Sequence, residues 1–397
     1  MTAIGEAERC TQRRVAKLFV DYLHYEHLGN VCDRDNPNII EGQLEHFLWT
    51  YQGFAEREDG DDLMRRAIAE LTKVASNTGV SLYDRNRAVY ELLRYGVKIK
   101  ADVGAQTETV WLIDWKIPEK NRFAIAEEVS VKPADPKAHG KRPDIVLYVN
   151  GLALGVLELK RSTVSVAEGI RQNLDNQKKE FIQPFFSTLQ YVLAGNDTEG
   201  LRYGTIQTPE RYYLTWKEPA PAGNHNVSPL DQALLQICDK QRFLELIHDF
   251  IVFDAGTKKL CRHNQYFGVR AAQTHVRRRE GGIIWHTQGS GKSLTLVWLA
   301  KWIRENVKDA RVLIITDQTE LDEQIEKVFK GVAEDIHRTK SGADSVAKIN
   351  ATAALAAVLA RPQVWRQRGR RGPVTTMIDS SVLWTATYPP GATVAHN

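Results

Sequence analysis

A chain of 397 residues has room for two or three domains, each with its own core. Its 43% hydrophobic and 26% charged residues are ordinary for a globular protein; no run of 18 apolar residues occurs and residues 1–14 have no apolar signal core, so no membrane span is expected and a cytoplasmic location is. The net charge of +4 permits a nucleic-acid partner without arguing for one, and four scattered cysteines without a CxxC pair argue against disulfides or a zinc site.

The first hundred residues read as helical. Residues 8–25 place Val15, Leu18, Phe19, Tyr22 and Leu23 at helical spacing, and 43–51, 62–75 and 84–95 look alike. From Thr109 the pattern turns to strands at 110–115 and 123–131, with a turn at Pro118-Glu119-Lys120-Asn121 between them. Strands at 144–149 and 152–159 flank Asn150-Gly151. Residues 165–186 read as a helix, with Ser165 and Glu168 spaced as a capping box. Residues 218–228, rich in Pro, Ala, Gly and Asn, are the linker candidate, and a helical segment at 231–250 follows. From Gly281 the order strand, Gly-rich loop, helix, strand predicts a βαβ unit on a parallel sheet.

The strands around Asn150-Gly151 carry chemistry. Asp144 opens the first, and Glu158 and Lys160 close the second, two residues apart and so on one face. Charges at the end of an apolar hairpin are costly unless they pair or bind an ion. Asp144 and Glu158 could hold Mg²⁺ through oxygen, and Lys160 could orient a water or offset phosphate charge. Geometry sets a condition: a plain two-residue turn pairs Asp144 with Leu157 and sends Glu158 to the opposite face. A three-residue loop or a β-bulge would bring the acids together, and the glycine suits a three-residue loop with a bulge. The alternative is solvated strand-end charges, because a bare D…ExK pattern arises often by chance.

The second motif is His286-Thr287-Gln288-Gly289-Ser290-Gly291-Lys292-Ser293, after the short strand at 281–285 and before a helix with Leu294, Val297, Leu299 and Trp302 inward. Glycines free the backbone N–H groups of Thr287, Gly289, Ser290 and Gly291 to wrap phosphates at a helix N-terminus. Lys292 would reach the β- and γ-phosphates of ATP, and Ser293 would ligate Mg²⁺. Gln265, upstream, is a candidate adenine reader. A Gly-rich surface turn is the bland alternative.

Together these stretches resemble the R (restriction and translocation) subunit of type I restriction endonucleases, over about residues 8–350: KRPDIVLYVNGLALGVLELKRS (141–162), IRQNLDNQKKEF (170–181) and IWHTQGSGKSLTL (284–296). The resemblance implies an α/β chain: a PD-(D/E)xK restriction-endonuclease-like domain at 1–217 with N-terminal helices, a linker and connecting helix at 218–250, and a partial RecA-like, superfamily 2 helicase lobe at 251–350. It implies that Asp144, Glu158 and Lys160 cut double-stranded DNA with Mg²⁺, that Gly289 to Ser293 bind ATP, and that methyltransferase and specificity subunits are partners. Gln172 fits the start of a QxxxY motif of the family, although Asn176 stands where the tyrosine would be, and Asp317-Gln318-Thr319-Glu320-Leu321 matches a further motor motif.

The motor is incomplete. No Asp-Glu-x-His Walker B segment follows Phe329, and Glu334-Asp335-Ile336-His337 lacks the preceding strand and the order. Residues 351–397 hold no lysine or glutamate but five arginines, Arg361, Arg366, Arg368, Arg370 and Arg371. This reads as an out-of-frame or disordered tail, the alternative being a basic nucleic-acid-binding one. The expected function is the nuclease and part-motor portion of an R subunit. The alternatives are a non-catalytic ATP- and DNA-binding remnant, and a stand-alone nuclease with a regulatory ATP domain.

Overall fold

The computed structural model describes residues 3–31, 37–100, 106–133, 140–219, 227–287, 289–308, 310–315, 325–329, 336–338, 344, 357–360, 374–378 and 382–387. The chain divides into two compact units. Unit 1 holds residues 1–248 and Thr257–Leu260; unit 2 holds Asp249–Gly256 and Cys261–Asn397.

Unit 1 runs α1 (Ala3–Asp21), β1 (Glu26–Asn30), α2 (Glu41–Tyr51), α3 (Gly60–Ala75), α4 (Leu82–Tyr95), β2 (Val97–Lys100), β3 (Thr107–Val110), β4 (Phe123–Glu127), β5 (Ile145–Val149), β6 (Leu152–Leu159), α5 (Val166–Asn176), β7 (Tyr191–Asn196), β8 (Gly200–Gly204), α6 (Pro229–Ile237) and α7 (Lys240–Asp249). A six-stranded mixed sheet in the order β1-β4-β5-β6-β7-β8 is its centre, parallel at β1/β4 and β6/β7 and antiparallel elsewhere. Strands β5, β6 and β7 are buried along their whole length. That burial on both faces explains their continuous apolar sequences.

The hairpin β5–β6 does not take the three-residue loop that its glycine suggested. Val149 pairs with Leu152, so the turn has two residues, with Asn150 (φ 52°) and Gly151 (φ 80°) both left-handed. The extra residue lies deeper. Tyr148 pairs with Ala153 but Leu147 pairs with Gly155, so Leu154 is a β-bulge. Its carbonyl accepts from the Gln190 N–H (2.8 Å), which satisfies the group the bulge releases from the ladder. Gln190 is itself fixed in a buried knot. Its Oε1 accepts from Lys258 Nζ (2.6 Å), which also donates to Asn86 Oδ1 (2.7 Å). Burial pushes Lys258 well below the usual lysine range.

Several predicted elements depart from their expected bounds: the helix expected at 8–25 ends at Asp21 and the strand expected at 123–131 ends at Glu127, and three others change for a local reason. The strand expected at 110–115 stops at Val110, because Asp114 Oδ1 accepts from the N–H groups of Lys116 and Ile117 and closes a turn. The helix expected at 165–186 stops at Asn176, whose carbonyl accepts from Ile182; a short 3₁₀ helix, Gln183–Ser187, follows with Pro184 in its first turn. Ser165 caps α5 by accepting from Ala167 N–H. The helix expected at 231–250 is two helices, because Asp239 Oδ1 accepts from Arg242 N–H and starts α7 afresh. Helix α6, and α7 up to His248, lie in unit 1.

After β9 (Ile251–Asp254) and β10 (Thr257–Leu260), unit 2 runs α8 (His263–Arg278), β11 (Gly282–Ile284), α9 (Lys292–Asn306), β12 (Arg311–Ile315), β13 (Ile336–Arg338), β14 (Ala357–Ala360), β15 (Val374–Ile378) and β16 (Val382–Thr387). Its sheet order is β11-β16-β15-β12-β14-β13. Strands β13, β14, β15 and β12 are mutually parallel, but β16 is antiparallel to both its neighbours, so the expected all-parallel βαβ sheet is mixed. Three of these strands come from residues 351–397. Helix α9 is buried nearly all round, including Thr295, Trp298 and Lys301 as well as Val297, Leu299 and Trp302; Leu294 is half-buried. Cys238 and Cys261 are buried and Cys10 is exposed, none of them in a disulfide, while Cys32 lies outside the described residues. No helix among the described residues is long and apolar enough to cross a membrane.

Candidate functional site

The bulge at Leu154 decides the geometry of the acidic cluster. Beyond it the register runs Leu147–Gly155, Val146–Val156 and Ile145–Leu157, and one step further sets Asp144 opposite Glu158. Without the extra residue Asp144 would face Leu157, and Glu158 would point to the other side of the sheet. Asp144 is anchored at both ends. Its Oδ2 accepts from Leu159 N–H (2.7 Å), and its carbonyl accepts from Glu128 N–H (2.9 Å) and Gln12 Nε2 (3.1 Å). Glu128, the residue after β4, takes a left-handed φ of 52° that a non-glycine residue rarely adopts, and its N–H reaches Asp144 from there.

Glu158 is fully buried (0% exposed). Its Oε2 accepts from Gln172 Nε2 (2.8 Å), and Gln172 Oε1 accepts from Lys160 Nζ (2.8 Å). One amide on α5 thus bridges the buried carboxylate and the ammonium two residues on. The structure therefore brings Asp144, Glu158, Lys160 and Gln172 together. Asn176, four residues after Gln172, is buried but its main chain is used to end α5.

Gly169 lets α5 come this close. A Cβ there would stand 3.2 Å from Ala194 Cβ, 3.5 Å from Lys160 Cγ and 3.6 Å from Glu158 Cβ. Valine at this position has no such room, so Gly169→Val is expected to lift α5 off β6, stretch the Gln172 bridge and cost ~1–3 kcal/mol of unit 1 stability. Thermal unfolding checks this; an unchanged midpoint would show that the close approach is not required. Nothing in the local sequence marks Gly169 except its place one turn before Gln172. Gln12 carries no local signal, since 132 residues separate it from Asp144.

The donor set suits a hard divalent cation. Asp144 and Glu158 stand opposite each other at the end of the β5–β6 ladder, Glu158 is sealed from water, and Gln172 joins it to Lys160. Oxygen ligands of this kind select Mg²⁺, Ca²⁺ or Mn²⁺ over softer metals.

In unit 2 the P-loop links β11 to α9. Gly289 (φ 76°) and Gly291 (φ 84°) are both left-handed, and Gly291 caps α9, whose first residues are Lys292 and Ser293. Ser290 and Ser293 are buried, Lys292 is half-buried and Thr287 is exposed, while Gln288 lies outside the described residues. The segment from Asp317 to Leu321, and Glu334 and Asp335, also lie outside them. Gln265 is buried and uses both ends of its amide on backbone: Nε2 donates to the Gly291 carbonyl (2.8 Å), and Oε1 accepts from Arg262 N–H (2.8 Å). A Cβ at position 291 would stand 2.4 Å from Gln265 Nε2. Gln265 braces the loop here; reading adenine would require it to release one of these bonds.

His286 stands where P-loops often have glycine. Burial, aided by Lys292, holds its imidazole below the usual histidine value of 6.5, against a backbone hydrogen bond to Asn264. The folded form therefore binds this proton more weakly than the unfolded chain. Acid favours the unfolded state, and unit 2 is expected to lose stability as the pH falls below 6.5. Thermal midpoints between pH 7 and pH 5 check this: His286→Asn should flatten the slope, and an unaltered slope would assign it to other groups.

Comparison with known proteins places the chain. It is similar to the type I restriction enzyme HindI endonuclease subunit of Haemophilus influenzae, at 26% identity over 361 residues, covering 84% of this chain and 33% of that protein. It is similar too to the type I restriction enzyme SauMSSORF170P endonuclease subunit of Staphylococcus aureus, at 23% identity, covering 79% of this chain and 32% of that one. The chain thus spans about a third of the length of these relatives. The family described as type I restriction enzyme R protein N terminus matches residues 7–211, just over half of the chain, and a SWI2/SNF2 ATPase family matches residues 264–368. The chain belongs to the family of type I restriction enzyme R proteins, as an N-terminal part.

Proposed function

We propose that this chain is the nuclease and P-loop portion of a type I restriction R subunit, with a PD-(D/E)xK-type site that hydrolyses DNA phosphodiester bonds. The observation that carries the reading is the bulge-shifted register that sets Asp144 opposite buried Glu158, with Gln172 bridging Glu158 to Lys160. Asp144 and Glu158 would hold Mg²⁺, which when bound supplies positive charge at the phosphate and an acidified water. Lys160 Nζ is placed to donate to that water or to a phosphate oxygen, with Gln172 fixing its reach. Burial of Glu158 keeps solvent away from the oxygens that would meet the cation.

In unit 2, Thr287, Gly289, Ser290 and Gly291 would cradle ATP phosphates through main-chain N–H groups, with Lys292 offsetting their charge and Ser293 ligating Mg²⁺. This portion corresponds to part of a RecA-like lobe. ATP binding would reside in this loop, and methyltransferase and specificity subunits would be the partners.

The purified chain should nick supercoiled plasmid DNA with Mg²⁺ present, stop with chelator, and lose the activity in Asp144→Ala. Folded wild-type protein that binds DNA without cutting it would instead support the non-catalytic remnant.

A further inference from the structure

Helix α1 is far from the acidic cluster in sequence, yet one of its side chains holds the cluster's first acid. Gln12 is 5% exposed, and its Nε2 donates to the Asp144 carbonyl (3.1 Å). A buried amide on a helix face shared with Thr11, Val15, Ala16, Leu18 and Phe19 is costly unless its hydrogen bonds are made. The Asp144 carbonyl already accepts from Glu128 N–H within the ladder's end, so Gln12 adds a second donor to the same oxygen. Together with Leu159 N–H on Oδ2, these bonds fix the Asp144 main chain from one side and its carboxylate from the other.

We propose that Gln12 is a positioning residue of the nuclease site: by holding the Asp144 carbonyl it sets where the Asp144 carboxylate stands relative to Glu158, and so sets the affinity for the divalent cation. The inference rests on the nuclease reading above. Partners of metal ligands typically change metal affinity by about 10–100-fold when removed. Loss of the Gln12 donor should therefore act on metal binding before it acts on folding.

The test is Mn²⁺ binding to the full chain, read by the electron-spin resonance signal of free Mn²⁺, with no DNA and no turnover. Wild type, Gln12→Leu and Asp144→Asn are compared, with thermal midpoints as controls. Gln12→Met, also close in volume and unable to donate, is the second variant should Gln12→Leu fail to fold. Both Gln12 variants are expected to bind Mn²⁺ about 10-fold more weakly. Cleavage should be regained when Mg²⁺ is raised by a similar factor. A lower thermal midpoint with wild-type Mn²⁺ affinity would overturn the proposal and leave Gln12 a packing residue. If wild type and Asp144→Asn bind Mn²⁺ equally, the nuclease reading itself fails, and that pattern differs from failure of the Gln12 proposal alone.

Discussion

Glu158→Gln is expected to abolish DNA cleavage and to make unit 1 more stable. Glutamine keeps the shape and can still meet Gln172, but it removes the charge that would hold the cation. Loss of ~4 kcal/mol of transition-state stabilisation corresponds to about a thousandfold in rate. The stability change has the opposite sign because Glu158 is 0% exposed, and a carboxyl group is harder to bury than the amide that replaces it. Removing that charge should raise the thermal midpoint by ~2 °C. A plasmid-nicking assay and a melting curve on the same preparations check both signs. Activity above a tenth of wild type would remove Glu158 from the catalytic set. A drop in midpoint would mean that its charge is compensated in the fold rather than reserved for a cation.

Lys292→Ala is expected to weaken ATP binding by about 30-fold, or ~2 kcal/mol, the usual worth of a charge-assisted contact to phosphate. The two left-handed glycines and the α9 N-terminus remain, so residual binding is expected rather than none. DNA nicking by the same variant should be unchanged, because the carboxylates of unit 1 make no use of Lys292. Titration with a fluorescent ATP analogue measures the first effect. Equal affinity in wild type and variant would reduce the P-loop to a structural turn.

The residue types of both sites were legible in the sequence. The helices at 43–51, 62–75 and 84–95 stand within two residues of α2, α3 and α4, because each buries apolar residues at helical spacing. Strand β6 stands at its expected residues. What could not be read was long-range. Strand β1, half exposed and carrying Gly29, has no alternation to betray it, and it exists because β4 offers a parallel edge. Strands β7 and β8 lack alternation for the opposite reason: apart from half-buried Arg202, their short runs are buried throughout, so no period of two shows. In the site, sequence could state the geometric condition on Asp144 and Glu158 but not its solution. The extra residue lies at Leu154, among apolar residues with no turn signal, where the waiting Gln190 N–H receives its carbonyl.

That bulge also bears on how the segment tolerates change over evolution. Insertions or deletions of two residues between Asp144 and Glu158 would leave both acids on one side of the sheet. A change of one residue would turn them apart unless the turn changed length by one, or a bulge vanished or formed, in compensation. Homologous nucleases with different loop lengths here should therefore differ in even steps, or show a hairpin whose irregularity has moved. Leu154 is the place in this chain where an odd count is absorbed.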